Sequence, residues 1–268
     1  MDHAGWKIGL IMKLKRHELK EFLLEKADQY AQKSFIKDDP ILIPHRFSTS
    51  DDIEISGLIA ATLAWGQRKT IIAKSDDLMH RMDHSPADFI RNAQQSDLKV
   101  FDGFVHRTFQ AQDIQGLVLA LQTLYKEYPS LGAFFKAHLQ EQNNLGMAYT
   151  AFKVYLLKNG LPSRAAKHFG DPLKGSACKR ITMYTRWMVR TAKEGIDFGI
   201  WDIDPALLSL PLDVHSGRVA RSLGLLSRKQ NDWKAVEELN EGIRAIEPND
   251  PARMDYALFG LGVYEGWK

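Results

Sequence analysis

Cysteine is nearly absent from this chain of 268 residues. Cys178 stands alone, so no disulfide can close within the chain, and neither a four-cysteine zinc site nor a cysteine-held iron–sulfur cluster can be built. There is no run of about 18 apolar residues to span a bilayer. Residues 1–12 lack the long apolar core and small-residue cleavage site of a secretory signal, which makes a cytoplasmic location the expectation. His215 follows two residues after Asp213, but no second and third ligand stand at zinc spacing. Alternating strand patterns, tandem repeats and low-complexity stretches are missing as well. Charge of one sign is also scarce: the formal net charge is +3, too small to argue for nucleic acid by itself. What is plentiful is apolar material, 44% of residues, enough for one large or two small domains with a continuous core.

The hydrophobic period is helical throughout, and the expected class is all-α. Leu19, Phe22, Leu23 and Tyr30 mark a first amphipathic helix that ends before Lys37-Asp38-Asp39-Pro40. Asp51 is placed to cap an apolar helix through Ile55, Leu58, Ile59 and Leu63, ending near Trp65-Gly66. Asp113 starts another with Ile114, Leu117, Val118 and Leu121, and Ser130 caps one carrying Leu131, Phe134 and Phe135. A segment through Met147, Phe152 and Leu156 precedes the break at Gly160-Leu161-Pro162. Further on, Ile181, Tyr184 and Met188 line one side of a helix while Lys179, Arg186 and Arg190 fall on another, which would bury the aromatic side and turn the basic side to a ligand. Asp232 caps a helix stopped before Pro248, the Asn249-Asp250-Pro251 turn reads as a helix start, and the last helix runs from about Pro251 to Phe259.

The segment Pro211 to Gly224 is the richest in chemistry. Asp213 reads as the N-cap of a short helix with Val219 and Leu223 on its apolar face and Gly224 closing it. The orphan amides and dipole of a first helical turn suit a carboxylate there, one able to stabilise a developing cation or accept a proton. Arg218 and Arg221 share a helix face and can meet phosphates. The same letters also fit a plain cap beside a solvated basic surface. Upstream, Arg164, Lys167, Lys174, Lys179, Arg180, Arg186, Arg190 and Lys193 face only Asp171 before Glu194, a concentration of positive charge suited to neutralising phosphate. His45-Arg46 and His106-Arg107 read as turn or cap elements, and Trp65, Trp187 and Trp201 as core before binding walls.

Leu212-Asp213-Val214-His215, with Arg218-Val219 and Leu223-Gly224 after it, resembles the signature of the helix-hairpin-helix DNA glycosylase superfamily. The superfamily hairpin, Leu-Pro-Gly-Val-Gly-x-Lys, is matched by Leu173-Lys174-Gly175-Ser176-Ala177-Cys178-Lys179, with Lys174 in place of the usual Pro and Ala177 in place of the second Gly. An insertion around Glu194 to Leu210 lengthens the Lys179 to Asp213 separation, and in this the chain resembles the archaeal 8-oxoguanine DNA glycosylase branch. The lone cysteine sets it apart from the iron–sulfur members. Over nearly its whole length the chain also resembles a bacterial family carrying the same tryptophan-rich and Asp-Val-His segments, a likeness that implies no activity.

The glycosylase resemblance implies a two-lobed helical fold with a cleft between lobes, one lobe of 1–50 and 160–268 and a second of 51–159. It implies a monomer that binds double-stranded DNA with a damaged base, needs no cofactor, metal or membrane, and associates with the nucleoid when bound. Lys179 becomes the nucleophile and Asp213 the acid that stabilises the oxocarbenium-like charge, giving base excision followed by β-elimination. Gln67, after the apolar helix, would fill the gap left by a flipped nucleotide. Asp255 and Phe259, one turn apart on the last helix, would read and stack on the base, an oxidised purine such as 8-oxoguanine. Gly175, Arg180, Arg186, Arg218 and Arg221 would meet the DNA backbone, and His215 would hold the Asp213 segment by hydrogen bonds. Two other readings stay open on the residues alone: a DNA-binding protein that kept the scaffold without the chemistry, and an α-helical nucleotide phosphohydrolase using Asp213 as a base.

Overall fold

The computed structural model describes residues 15–142 and 145–267. Helix dominates, at 67% against 2% strand, and the chain divides into two compact units. No described helix is long and apolar enough to cross a membrane.

One unit comprises residues 36–171 together with Gly199–Ile203. It holds α1 (Ser50–Leu63), α2 (Arg68–Arg81), α3 (Pro86–Asn92), α4 (Ala111–Glu127), α5 (Leu131–Gln142) and α6 (Leu145–Lys158). A two-residue hairpin pairs β1 (Val105–His106) with β2 (Phe109–Gln110). Thr49, not Asp51, caps α1, its hydroxyl accepting from the Asp52 amide at 3.2 Å; Asp51 lies one residue inside the helix and pairs instead with Arg91. From Ile53 to Leu63 every residue of α1 is buried, which makes this helix the axis of the unit. Glu54 is the one charged group in that run. It accepts from Tyr125 Oη at 2.5 Å, Trp201 Nε1 at 2.9 Å and the backbone amides of Leu131 and Gly132 at 3.0 and 3.4 Å. One carboxylate thereby satisfies the first turn of α5 and anchors the returning strand of chain at Trp201. Burial raises the Glu54 pKa against the lowering pull of those four donors. Gly132 is required beside it, since a Cβ there would lie 2.6 Å from the Trp201 ring.

The other unit comprises the described residues up to Phe35, Pro172–Phe198, and those from Asp204 on. Its helices are α7 (Arg16–Tyr30), α8 (Lys179–Val189), α9 (Val214–Ser222), α10 (Trp233–Arg244) and α11 (Met254–Val263). Leu23, Val219, Val236, Leu239, Ile243, Leu258 and Leu261 form its core. The last helix does not stop at Phe259 but continues through Gly260 and Gly262 to Val263. Both glycines sit at close helix–helix approaches: a Cβ at Gly260 would fall 2.0 Å from the Tyr30 ring, and one at Gly262 would lie 3.2 Å from His215 Cβ. Here glycine marks a packing contact rather than a helix end.

The unit boundaries fall near residues 35 and 171 rather than 50 and 159. The 3₁₀ turns at Pro40–Leu42 and Pro44–Arg46 pack on α1, and the turn at Ser163–His168 packs on α6, so these connecting segments join the unit they touch. The segment leading into the hairpin is likewise not an α-helix but the 3₁₀ turns Ser163–His168 and Pro172–Lys174.

Replacing Glu54 by Ala should leave the Trp201 indole and the buried amides of α5 without an acceptor. The expected loss is about 3 kcal/mol, seen as a lower urea midpoint at unchanged slope.

Candidate active site

Two left-handed residues shape the turn that delivers Lys179. Gly175 has φ +77°, with open space where a Cβ would be, and Cys178 has φ +53°. The second left-handed position thus falls on Cys178, one residue after the Ala177 that replaces the superfamily glycine. A non-glycine residue pays backbone strain there. Local bonds hold it in place: the Cys178 amide donates to Ser176 Oγ and its thiol to the Ser176 carbonyl, each at 3.2 Å. Lys179 then opens α8, half-buried, with its Nζ 3.5 Å from the Met183 sulfur. Among the described residues it has no ion-pair partner.

Asp213 caps α9. Its Oδ1 accepts from the amides of His215 and Ser216 at 2.8 and 3.0 Å, while Ser216 Oγ accepts from the Asp213 amide at 2.9 Å. At the other end Gly224, φ +70°, closes the helix: the Leu225 amide donates to the Ala220 carbonyl and the Gly224 amide to that of Arg221. His215 holds the segment through its backbone amide, with its side chain exposed. The donors at the Asp213 carboxylate gather on Oδ1.

Asp255 links these two groups. It is buried in the first turn of α11 and ion-paired with Arg186 of α8. Its pKa is pushed up to about 6, first by burial, with Arg186 opposing, Asp213 adding a raising influence and Lys179 a lowering one. The fields of Asp213 and Lys179 therefore meet at one carboxyl, within a single unit. Behind it lies a buried charge network. Arg190 contacts Asp197 at 2.6 Å and Asp250 at 2.7 Å, Arg186 approaches Asp197 at 3.4 Å, and Tyr256 donates to Asp197 at 2.8 Å. The Arg186 guanidinium also lies 4.5 Å from the Tyr256 ring centre.

This network corrects the sequence reading of α8. Arg186 and Arg190 are 3% and 1% exposed, so this part of the face expected to meet phosphate is turned inward to Asp197, Asp250 and Asp255. Asp250 does start a helical turn, as the N-cap residue of the 3₁₀ turn Pro251–Arg253 that leads into α11, but its carboxylate makes no cap bond and pairs with Arg190. Asp255 is committed to Arg186 rather than held open for a base edge. Arg221, half-buried, is bonded within the fold: its guanidinium donates to the carbonyls of Arg228 and Lys229 at 2.8 and 2.9 Å and to Asn231 Oδ1 at 2.7 Å. Arg164 pairs with the buried Asp113, in the other unit. Arg180 is half-buried, its pKa drawn down to about 10 by burial. Gly175, Lys174 and Arg218 are exposed.

The remaining positions fall as follows. Gln67 is exposed at the N-terminus of α2, after the apolar α1, in the unit that does not contain Lys179 and Asp213. Phe259 is half-buried, edge-on to Phe35 at 5.7 Å and to Tyr264 at 6.3 Å. Trp187 and Trp201 are core, and Trp65 is half-buried with the Arg107 guanidinium 5.0 Å from its ring centre. Among the residues sequence reasoning passed over, Ser216 carried a signal, standing three after the cap where a reciprocal capping partner belongs. Asp197, Tyr256 and Asn231 carried none, because their contacts follow from how the chain folds back and not from any helical or capping spacing.

The convergence on Asp255 can be measured without any substrate. Removing the negative charge in Asp213→Asn should lower the Asp255 pKa, and removing the positive charge in Lys179→Gln should raise it. A carboxyl carbon NMR titration of the two variants against the parent chain gives the sign of each shift; unchanged titration in both would show that the three groups do not share a site.

A family model described as "Protein of unknown function (DUF2400)" matches residues 39–264. No curated protein and no solved structure matches the chain. The matched span takes in Lys179, Asp213, Asp255 and the segments that hold them, and the chain belongs to the DUF2400 family.

Proposed function

We propose that the chain is a DNA glycosylase with abasic-site lyase activity, acting on double-stranded DNA through Lys179 and Asp213. The observation that carries this reading is that the turn delivering Lys179 and the turn carrying Asp213, distant in sequence, are bonded to one short stretch of chain: the Trp233 amide donates to the Gly175 carbonyl at 3.2 Å and Asn231 Nδ2 to the Asp213 carbonyl at 2.8 Å. Lys179 suits a nucleophile: it stands at the start of a helix, half-buried beside a thioether, with no ion-pair partner among the described residues. Asp213 suits a stabiliser of positive charge. Its capping bonds gather on Oδ1, which leaves Oδ2 for the reacting sugar.

In the proposed reaction the neutral Lys179 amine attacks C1′ as the bond from C1′ to the base breaks, and the electron pair leaves with the base, which takes up a proton. Asp213 stabilises the oxocarbenium-like charge on the sugar during that step. The attached nitrogen loses a proton, and its lone pair then forms the C1′=N bond of a protonated Schiff base as the C1′–O4′ bond breaks and O4′ takes up a proton, opening the ring. Abstraction of a C2′ proton then expels the 3′-phosphate by β-elimination, and water releases the sugar fragment from Lys179. Asp213 is placed to take part in the proton transfers. An oxidised purine is the proposed lesion, on the strength of the Lys179 to Asp213 separation shared with the archaeal 8-oxoguanine branch.

Borohydride should trap the chain covalently on duplex DNA containing an abasic site or 8-oxoguanine, and Lys179→Gln should abolish the adduct. Asp213→Asn should keep DNA binding and slow base release by about 100-fold or more, the scale of a lost electrostatic stabiliser. Binding without an adduct in the parent chain would favour a non-catalytic DNA-binding scaffold. Neither binding nor adduct, with nucleotide hydrolysis present, would favour a phosphohydrolase.

A further inference from the structure

We infer that the loop 228–233 braces the Lys179 hairpin against the Asp213 turn, with Asn231 and Arg221 as positioning residues for Asp213. The role in catalysis rests on the glycosylase reading; the brace itself rests on hydrogen bonds within one unit.

The loop is bonded to both functional segments. Toward the hairpin, the Trp233 amide donates to the Gly175 carbonyl at 3.2 Å, and Ser176 and Asp232 form an antiparallel bridge. Toward the Asp213 turn, Asn231 Nδ2 donates to the Asp213 carbonyl at 2.8 Å. That carbonyl also accepts the first helical bond of α9, from the Gly217 amide at 2.9 Å. Asn231 is therefore attached to the cap residue itself, at the peptide group that sets where its carboxylate points.

Arg221 makes the attachment rigid. Its fork spans the carbonyls of Arg228 and Lys229 and the Asn231 Oδ1, so a single guanidinium orients the amide that holds Asp213. Both side chains lie over the first turns of α9, where Gly217 leaves room for them. A Cβ at Gly217 would fall 2.8 Å from Arg221 Nη1 and 2.8 Å from Asn231 Oδ1. Asp232 fastens the far end, accepting from the Ala235 amide at 3.1 Å as the cap of α10 and pairing with Arg228 at 2.5 Å. Lys179 and Asp213 lie on different helices, and this loop spans from the turn before one to the cap of the other.

Asn231→Asp keeps an acceptor for Arg221 and removes the donor to Asp213; Arg221→Lys keeps the charge and removes the fork. Each should slow single-turnover base release by about tenfold to hundredfold, the cost of displacing a catalytic group by a fraction of an ångström, with DNA affinity held within about twofold. The amide nitrogen NMR signals of His215 and Ser216, which report the Asp213 cap, should shift in both variants. An unchanged rate, or a loss that merely follows DNA affinity or thermal unfolding, would overturn the positioning role. If the parent chain forms no borohydride adduct, the lyase reading falls instead, and the brace is then supported by shifted cap signals or refuted by unmoved ones.

Discussion

The ion pair between Arg186 and Asp255 is the constraint on which this site depends. It joins α8, whose first residue is Lys179, to α11, and it does so where both partners are nearly sealed from water. Desolvating two charges costs several kcal/mol, so such a pair contributes little net stability against an apolar alternative, yet losing one member would strand the other. Its effect is to fix how α8 is rotated and how far along its axis it sits. Arg190 repeats the constraint farther along the helix with Asp197 and Asp250, and the Tyr256 ring beneath both guanidinium groups leaves them little freedom to slide. Lys179, at the head of a helix clamped in this way, is placed by the clamp.

The clamp also explains the charge state of the site. Arg190 is shared among Asp197, Asp250 and Glu194, while Arg186 divides itself between Asp255 and a longer contact with Asp197. Acids outnumber the cations available to them, and at Asp255 burial outweighs the pull of Arg186 and raises the pKa to about 6. Near neutral pH this carboxyl is mostly ionised and sits electrostatically between Asp213 and Lys179. Its charge strengthens the pull on a cation developing nearby and opposes the negative charge of Asp213. The cluster is tuned by groups that need not touch a substrate.

Local signals in the sequence were readable and distant ones were not. Asp213 as a cap and Gly224 as a helix stop depend only on neighbours a few residues away, and the structure shows that cap and that closing turn. The helical class follows from apolar periodicity in the same way. The basic face of α8 was misread because spacing places Arg186 and Arg190 together without showing what they meet: Asp250 and Asp255 come from far along the chain, and Asp197 from the irregular segment just after the helix. Gly260 misled for a related reason: a helix-ending residue by composition, it is a contact residue once Tyr30 lies against it. Lys179, Asp213 and Asp255 were each singled out from the letters, but the arginine that joins two of them had been assigned to the outside.

Turning those arginines inward changes what a nucleic acid would find. With Arg164, Arg186, Arg190 and Arg221 committed within the fold, the cations near the hairpin and the Asp213 turn that stay exposed are fewer, Lys174 and Arg218 among them. Each phosphate neutralised adds to affinity through counterion release, so a short set of outward cations supports only modest sequence-independent binding. On the proposed glycosylase reading, the protein would gain less from holding every stretch of duplex tightly than from a few contacts at a site where the backbone is already distorted. A damaged or unpaired nucleotide lowers the cost of extrusion, so on that reading selectivity would come from the lower cost together with the placement of Lys179 and Asp213. Arg186 and Arg190 would then serve this end from within, because their buried ion pairs fix α8, and Arg221 would do so through its bonds to the loop beside Asp213.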